Sequence, residues 1–326
     1  MKYGAFIFLS WILLATPAVA SECRANLPEM PFDSLRTLHI AIDGEVVVAN
    51  GYRGVSPTAA ANVKSVSKTL MGAMVGAAIA KGVISDVDAR VVDLLPNALP
   101  ADSDPRLSQL TVSHLLSMQS GLKRTSGQNY GAWVASSDWT RSALGQPVEQ
   151  APGGQMRYST GNTHLLSAIL EAQAGQASYA LANEWLAPAG IRVADWMTSP
   201  EGVAFGGNQI AMRPEALIAL GELYRNDGVA PNGQRLLPEG WVTESWQVRA
   251  HSRWTGDGYG YGWFTRSFAG YAGYYGWGYG GQMLYVIPDL AMTVVITSDT
   301  HRPSGRTGYR DALHDYVANL IRVGVC

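Results

Sequence analysis

Two serine and lysine pairs stand three residues apart in this chain: Ser65-Val66-Ser67-Lys68 and Ser120-Gly121-Leu122-Lys123. On a helix that spacing puts both side chains on one face, so the amine can reach the hydroxyl and activate it as an acyl-transfer nucleophile. A lysine serves as a base near neutral pH only if burial lowers its pKa. Lys68 runs on into Thr69-Leu70-Met71, consistent with partial burial. Ser65 stands near the start of a long apolar helix, where free N–H groups and the positive dipole end favour developing negative charge. Ser120 lacks that setting, because Gly121 interrupts the helix and leaves it in a loop. The plain alternative for Ser65 and Lys68 is an ordinary helix start with a solvated lysine.

Other chemistries lose their support by inspection. The chain has no His-Glu-x-x-His, Cys-x-x-Cys, Walker-type Gly-x-x-x-x-Gly-Lys or Gly-x-Ser-x-Gly. Its six histidines form no metal-ligand spacing. The expected reaction calls for no metal and no organic cofactor. With 15% charged residues and a formal net charge of -2, there is no basic footprint for nucleic acid. A small-molecule substrate is the expected partner.

The elements that must position these residues follow from hydrophobic periodicity. The chain has 326 residues, 47% hydrophobic, enough for a large core. Thr37 to Tyr52 alternates around Asp43-Gly44 and reads as a β-hairpin. Asn62 to Ala80 reads as a helix stopped at Gly82. Helical patterns dominate from Ser85 to Trp246, at Val112–Met118, Thr163–Ala174, Tyr179–Leu186, Pro214–Asn226 and Pro238–Trp246. Met283–Ile287 and Met292–Thr297 read as strands, and Arg310–Val323 as a closing helix packing Leu313, Tyr316, Val317 and Leu320 on them. The order predicts an α+β fold: an antiparallel sheet flanked by helices from both chain ends (27–84 and 247–326), with an inserted, mainly helical part (85–246). No internal repeat or long linker divides residues 21–326.

Residues 1–20 read as a secretory signal: Lys2, an apolar run from Phe6 to Leu14, and Ala18-Val19-Ala20 as the cleavage site. The apolar run is short for a membrane span of about 20 residues. The expected location is therefore exported, periplasmic or secreted, without stable membrane insertion after cleavage. Cys23 and Cys326 either pair, which an oxidising compartment favours and which contributes about 4 to 5 kcal/mol in the chain-entropy model, or remain two separate thiols.

The stretch Lys64-Ser65-Val66-Ser67-Lys68-Thr69 before an apolar helix resembles the nucleophile helix of class C β-lactamase-like serine hydrolases. That superfamily includes penicillin-binding proteins, family VIII carboxylesterases and 6-aminohexanoate-dimer hydrolases. Further segments match in order: Leu110-Thr111-Val112-Ser113-His114-Leu115-Leu116 with Ser120-Gly121-Leu122, Pro152-Gly153-Gly154-Gln155-Met156-Arg157-Tyr158-Ser159, Leu236-Leu237-Pro238-Glu239-Gly240-Trp241, Tyr259-Gly260-Tyr261-Gly262-Trp263, and Gly278-Tyr279-Gly280-Gly281-Gln282. The similarity spans about residues 35 to 322 and implies a β-lactamase/transpeptidase-like fold.

The resemblance also implies roles. Tyr158 joins Ser65 and Lys68 in the catalytic centre, where a cationic lysine would favour its phenolate. The N–H groups of Ser65 and Tyr279 form an oxyanion hole. Thr160 stands where many relatives have a substrate-binding asparagine, offering one hydroxyl in place of an amide. The family's third motif begins with lysine in β-lactamases and penicillin-binding proteins, but Gly276-Trp277-Gly278-Tyr279-Gly280-Gly281 carries no cation, which leaves Arg253, Arg266 or His301 as substitutes for a substrate carboxylate. Substrate contacts are expected from Tyr130, Trp133, Trp277, Gly278 and Gly280 and from the aromatics between Tyr259 and Tyr285. The expected activity is hydrolysis of an ester or amide through an acyl-enzyme on Ser65. The alternatives are a β-lactamase or penicillin-binding-type D,D-peptidase, and a non-catalytic binding protein using the Tyr- and Trp-rich surface.

Intact mass of the secreted protein is expected to place its first residue at Ser21, whereas a mass that retains residues 1–20 contradicts cleavage. Thiol counting on the same unreduced sample separates a Cys23–Cys326 disulfide from two free thiols.

Overall fold

The computed structural model describes residues 27–325. The expected signal segment, Cys23 and Cys326 therefore lie outside the described residues. Within them the chain runs β1 (Leu35–Ile42), β2 (Glu45–Gly51), β3 (Ala61–Asn62) and α1 (Ser67–Ala80). Five short or long helices follow: α2 (Val91–Leu94), α3 (Val112–Leu116), α4 (Tyr130–Val134), α5 (Trp139–Leu144) and α6 (Thr160–Ala174). Then come α7 (Ser178–Trp185), β4 (Val193–Trp196), β5 (Ile210–Met212), α8 (Pro214–Arg225) and α9 (Trp241–Trp246). The last third is β6 (Ala250–His251), β7 (Gly258–Tyr259), β8 (Phe264–Phe268), β9 (Tyr271–Gly278), β10 (Gln282–Ile287), β11 (Met292–Ser298) and α10 (Tyr309–Val323). Among the described residues no helix is long and apolar enough to cross a membrane.

Eight strands form one antiparallel sheet in the order β2-β1-β11-β10-β9-β8-β7-β6, so the N-terminal hairpin joins the edge of the C-terminal meander through β1 and β11. The hairpin turn is the expected Asp43-Gly44, both at positive φ, the geometry that matches the right-handed twist of the flanking strands. Strands β10 and β11 are buried along their whole length because both faces of the sheet are covered. Their alternation divides the apolar side chains between two cores: Met283, Tyr285, Val294 and Ile296 meet Leu313, Val317 and Leu320 of α10, while Leu284, Val286 and Val295 join the core containing α1 and α8. The period-2 pattern of the strands and the i, i+3, i+4, i+7 pattern of α10 thus meet in one layer.

Helix α1 is buried on all sides from Ser67 to Ala78, so it reads as uniformly apolar rather than amphipathic. Gly72 and Gly76 make this possible: a Cβ on Gly72 would lie 2.8 Å from the Tyr261 carbonyl oxygen, and one on Gly76 would lie 2.6 Å from Trp241 Nε1. The helix is shorter than the expected Asn62 start, because Ala61–Asn62 pairs with β5 as a strand.

The middle of the chain departs from the mainly helical expectation in two ways. Strands β3, β5 and β4 form a small antiparallel sheet, too short for the hydrophobic period to reveal. Helix α8 packs on the large sheet, where Gly221 sits against Thr293 of β11, although its sequence position puts it inside residues 85–246.

The helical part has its own polar anchor. Trp133, Trp139, His164 and Phe205 pack edge to face, and Glu201 reaches beneath them. Its Oε1 accepts from the Thr140 N–H (3.0 Å), Thr140 Oγ1 (3.1 Å) and His164 Nε2 (3.2 Å). Burial pushes this carboxyl up, but the hydrogen bonds from His164 and the neighbouring backbone outweigh it and hold the group well below its ordinary 4.5. A depressed folded-state pKa contributes stability above the unfolded value, and that contribution is lost as pH falls below it. Glu201→Gln is expected to cost about 1–3 kcal/mol in urea unfolding at pH 7, with the difference from wild type shrinking below pH 4.5.

Candidate active site

The chain turns sharply between β3 and α1. Lys64 takes the left-handed conformation at φ 50°, which strains a side-chain-bearing residue, and its N–H donates to Asn62 Oδ1 at 3.1 Å. Ser65 follows in a 3-10 turn (Lys64–Val66) that feeds α1, so Lys68 falls in the first helical turn. Strand β9 presses directly on this turn. A Cβ on Gly278 would lie 2.3 Å from the Val63 carbonyl oxygen, and one on Gly276 would lie 2.7 Å from Thr69 Oγ1. Only glycine permits these contacts.

Lys68 is 1% exposed. Its Nζ lies 3.1 Å from Ser65 Oγ and donates to the Gly207 carbonyl oxygen at 2.7 Å. Burial lowers the amine from 10.5 to about 7, with no carboxylate to offset it. The Gly207 carbonyl arrives on a tight loop in which Gly206 and Gly207 touch α6: added Cβ atoms would lie 2.2 Å from the Thr163 carbonyl oxygen and 2.3 Å from Thr163 Oγ1. The Phe205-Gly206-Gly207 stretch carries the signal for this approach, but spacing from Ser65 cannot reveal it.

Tyr158 completes the group. Its ring lies 5.0 Å from Lys68 Nζ and packs against Phe264 and Tyr259. The segment is tied to the 118–126 loop, since Arg157 N–H donates to the Met118 carbonyl, Thr160 N–H to Ser126 Oγ, and Gly161 N–H to Thr125 Oγ1. Burial pushes the phenol up to about 12, with a smaller downward pull from Ser65. The expected phenolate is therefore not favoured: the desolvation of the phenol dominates, and Lys68, lowered to about 7, is only partly charged at neutral pH.

These residues open onto a cleft of about 580 Å³. Ser65, Tyr158, Thr160, Tyr130, Trp277 and Tyr279 line it as expected. Thr160 Oγ1 is hydrogen-bonded to Ser126 Oγ at 2.9 Å, and the Tyr130 hydroxyl accepts from Asn208 Nδ2 at 3.0 Å. Among the described residues neither the Ser65 N–H nor the Tyr279 N–H has a hydrogen-bond acceptor.

Several expectations are corrected. Trp133 is 2% exposed and belongs to the helical core, with Nε1 donating to the Trp139 carbonyl, so it does not reach the cleft. Gly278 and Gly280 are not among the residues lining the cleft, and their lack of a Cβ lets the backbone approach Val63 and Asp299. Tyr259, Tyr261, Tyr275 and Tyr285 are core side chains, and only Phe264, Trp277 and Tyr279 of that aromatic stretch line the cleft. Arg253, Arg266 and His301 do not line it either: they are engaged with Gln155, Asp257 and Asp299. Ser120 is buried and donates to Asn162 Oδ1 while Lys123 is exposed, so the second serine–lysine pair is not a dyad. Arg124, Gln209 and Trp254 line the cleft without standing in any motif, and Lys64 lines it from the nucleophile stretch, where the motif assigns it no role. Among the described residues no group of three or more His, Cys, Asp or Glu is placed to hold a metal.

A family model described as Beta-lactamase matches residues 37–318. Among solved structures, this fold is similar to a putative 6-aminohexanoate-dimer hydrolase from Bacillus anthracis (TM-score 0.70, 17% identity, 89% of this chain and 80% of that one). It is also similar to EstCE1, a hydrolase with promiscuous acyltransferase activity (0.67, 20%, 92% and 97%). A third is a D-stereospecific amidohydrolase from Streptomyces sp. (0.66, 17%, 87% and 94%). At these identities the likeness is one of fold.

The reactivity of Ser65 toward a fluorophosphonate is expected to rise with pH through about 7, as Lys68 loses its proton. The pH dependence of the labelling rate checks this, and Lys68→Arg should remove the step.

Proposed function

The chain belongs to the beta-lactamase family of hydrolases, and from that premise we propose that it cleaves a small-molecule ester or amide through a covalent acyl-enzyme on Ser65. The observation carrying this reading is the 3.1 Å contact between the Ser65 hydroxyl and a buried Lys68 amine whose charge is disfavoured near neutral pH. In the neutral form the amine donates one N–H to the Gly207 carbonyl and turns its lone pair to the Ser65 proton.

The reaction then runs in two halves. Lys68 takes the Ser65 proton as Oγ attacks the substrate carbonyl carbon, and the N–H groups of Ser65 and Tyr279 receive the developing oxyanion. Tyr158 enters protonated. It hands its phenolic proton to the leaving oxygen or nitrogen as the carbonyl–heteroatom bond breaks, and regains one from the Lys68 ammonium. A water molecule attacks the acyl-enzyme, Lys68 accepts its proton, and the acid is released as Ser65 recovers its hydrogen.

Substrate class follows from the strand wall. No cation stands on β9 where β-lactam-hydrolysing relatives carry lysine, and Trp277 fills that stretch with its Nε1 donating to Ser304 Oγ at 3.0 Å. This favours linear esters and amides over β-lactams and cell-wall peptides. Among the structural neighbours, the names of the putative 6-aminohexanoate-dimer hydrolase, EstCE1 and the D-stereospecific amidohydrolase agree with this reading, while others are named as β-lactamases or as a penicillin-binding protein homologue, so the wall of β9 carries the choice. We also propose that the protein works after export, in the periplasm or outside the cell, on the strength of residues 1–20.

Purified protein is expected to turn over a short-chain aryl ester or a linear amide faster than a β-lactam, and Tyr158→Phe should lower kcat by about 10²–10⁴. Dominant β-lactam turnover overturns the substrate class. Saturable binding without any acyl adduct by intact mass spectrometry, unchanged in Ser65→Ala, points instead to a binding protein.

A further inference from the structure

The cleft carries an uncompensated positive charge. Lys64 and Arg124 line it, and no Asp or Glu does. Among the described residues neither cation forms an ion pair. Both are held by neutral groups. Lys64 Nζ donates to Gln209 Oε1 at 3.0 Å, and that same oxygen accepts from Asn62 Nδ2, so the ammonium is oriented without being neutralised. Arg124 lies over the Trp254 ring at 4.8 Å, and among the described residues its guanidinium N–H groups have no hydrogen-bond acceptor, which leaves them for a planar one.

The backbone gives a second reason to assign Lys64 a role. It holds the left-handed conformation immediately before the nucleophile, a position that glycine would fill without strain. A lysine there keeps a half-buried side chain on the cleft at a conformational cost. Burial also lowers its pKa, with no acid nearby to restore it. Two like charges in a partly desolvated cleft are relieved when an anion enters.

We propose that the cleft selects substrates bearing a carboxylate, held by Lys64 and Arg124. The anion would then sit against the nucleophile turn and the 118–126 loop rather than on β9. As a statement about substrates this rests on the acyl-enzyme reading, but the carboxylate subsite itself stands without it. Trp254, 63% exposed at the mouth, and Tyr279, 51% exposed, add apolar surface, so an aromatic carboxylate makes the most informative probe.

Two measurements on the full mature protein separate the cases. In the first, 4-phenylbutyrate and its neutral amide are titrated against the fluorescence of Trp254 and Trp277. Wild type should bind the carboxylate at least about tenfold more tightly, as a charge-assisted hydrogen bond warrants, with the advantage shrinking at high salt. The preference should collapse in a Lys64→Gln/Arg124→Gln double variant and persist in the charge-retaining Lys64→Arg. Equal affinity in wild type, no binding of either probe, or a preference that survives loss of both charges overturns the subsite. In the second, kcat/KM is compared for a butyryl and a succinyl aryl ester. A succinyl preference lost in the double variant supports selection in turnover, and a butyryl preference in wild type contradicts it. If neither ester is hydrolysed, the hydrolase reading fails while the titration still decides the subsite.

Discussion

The site depends on keeping one lysine amine dry. Lys68 has two polar neighbours, the Ser65 hydroxyl and the Gly207 carbonyl, and neither carries charge. A displacement of its pKa from 10.5 to about 7 corresponds to a penalty on the order of 5 kcal/mol against the charged form. Any wall that drew back would admit water and return the amine to its solvated pKa. The basicity of this group is therefore a property of the packing around it.

Three separate stretches supply those walls, and glycine lets each come close enough. Gly276 and Gly278 bring β9 onto the nucleophile turn, Gly206 and Gly207 bring a loop of the helical part onto α6, and Gly72 and Gly76 let α1 sink among Tyr261 and Trp241. Sheet and helical part thus meet around α1. The large sheet, covered by α10 on one side and by α1 and α8 on the other, gives the turn a rigid backing. Tyr158 is held from the helical side by hydrogen bonds to the 118–126 loop, so its hydroxyl and the Lys68 amine belong to different layers that share one buried point.

Much of this is legible in the residues. The Ser65–Lys68 spacing and the apolar run after it pick out the serine that the fold sets beside a buried lysine, over Ser120, and ordered motifs add Tyr158. Alternation finds β1 and β2, apolar runs find β10 and β11, and the helical period finds α10, because each rests on a local pattern that burial enforces. What escapes is set by contacts distant in sequence. Gly207 meets Lys68 across 139 positions, and the three-stranded small sheet is too short to show a period. Trp133 reads as a cleft aromatic from its neighbourhood, yet the Trp139–Phe205 cluster draws it into the core. The ionisation of Tyr158 is inverted for the same reason: the sequence places a cation beside it, and only the fold reveals that burial disfavours both the phenolate and the ammonium.

The chain contains five lysines, Lys2, Lys64, Lys68, Lys81 and Lys123, which makes a direct test of the dry amine practical. In protein labelled with 13Cε-lysine, the NMR signal assigned by its loss in Lys68→Arg is predicted to titrate near pH 7. Titration of that signal near the ordinary 10.5 would mean that Lys68 is charged at neutral pH, and it could not then serve as the base for Ser65.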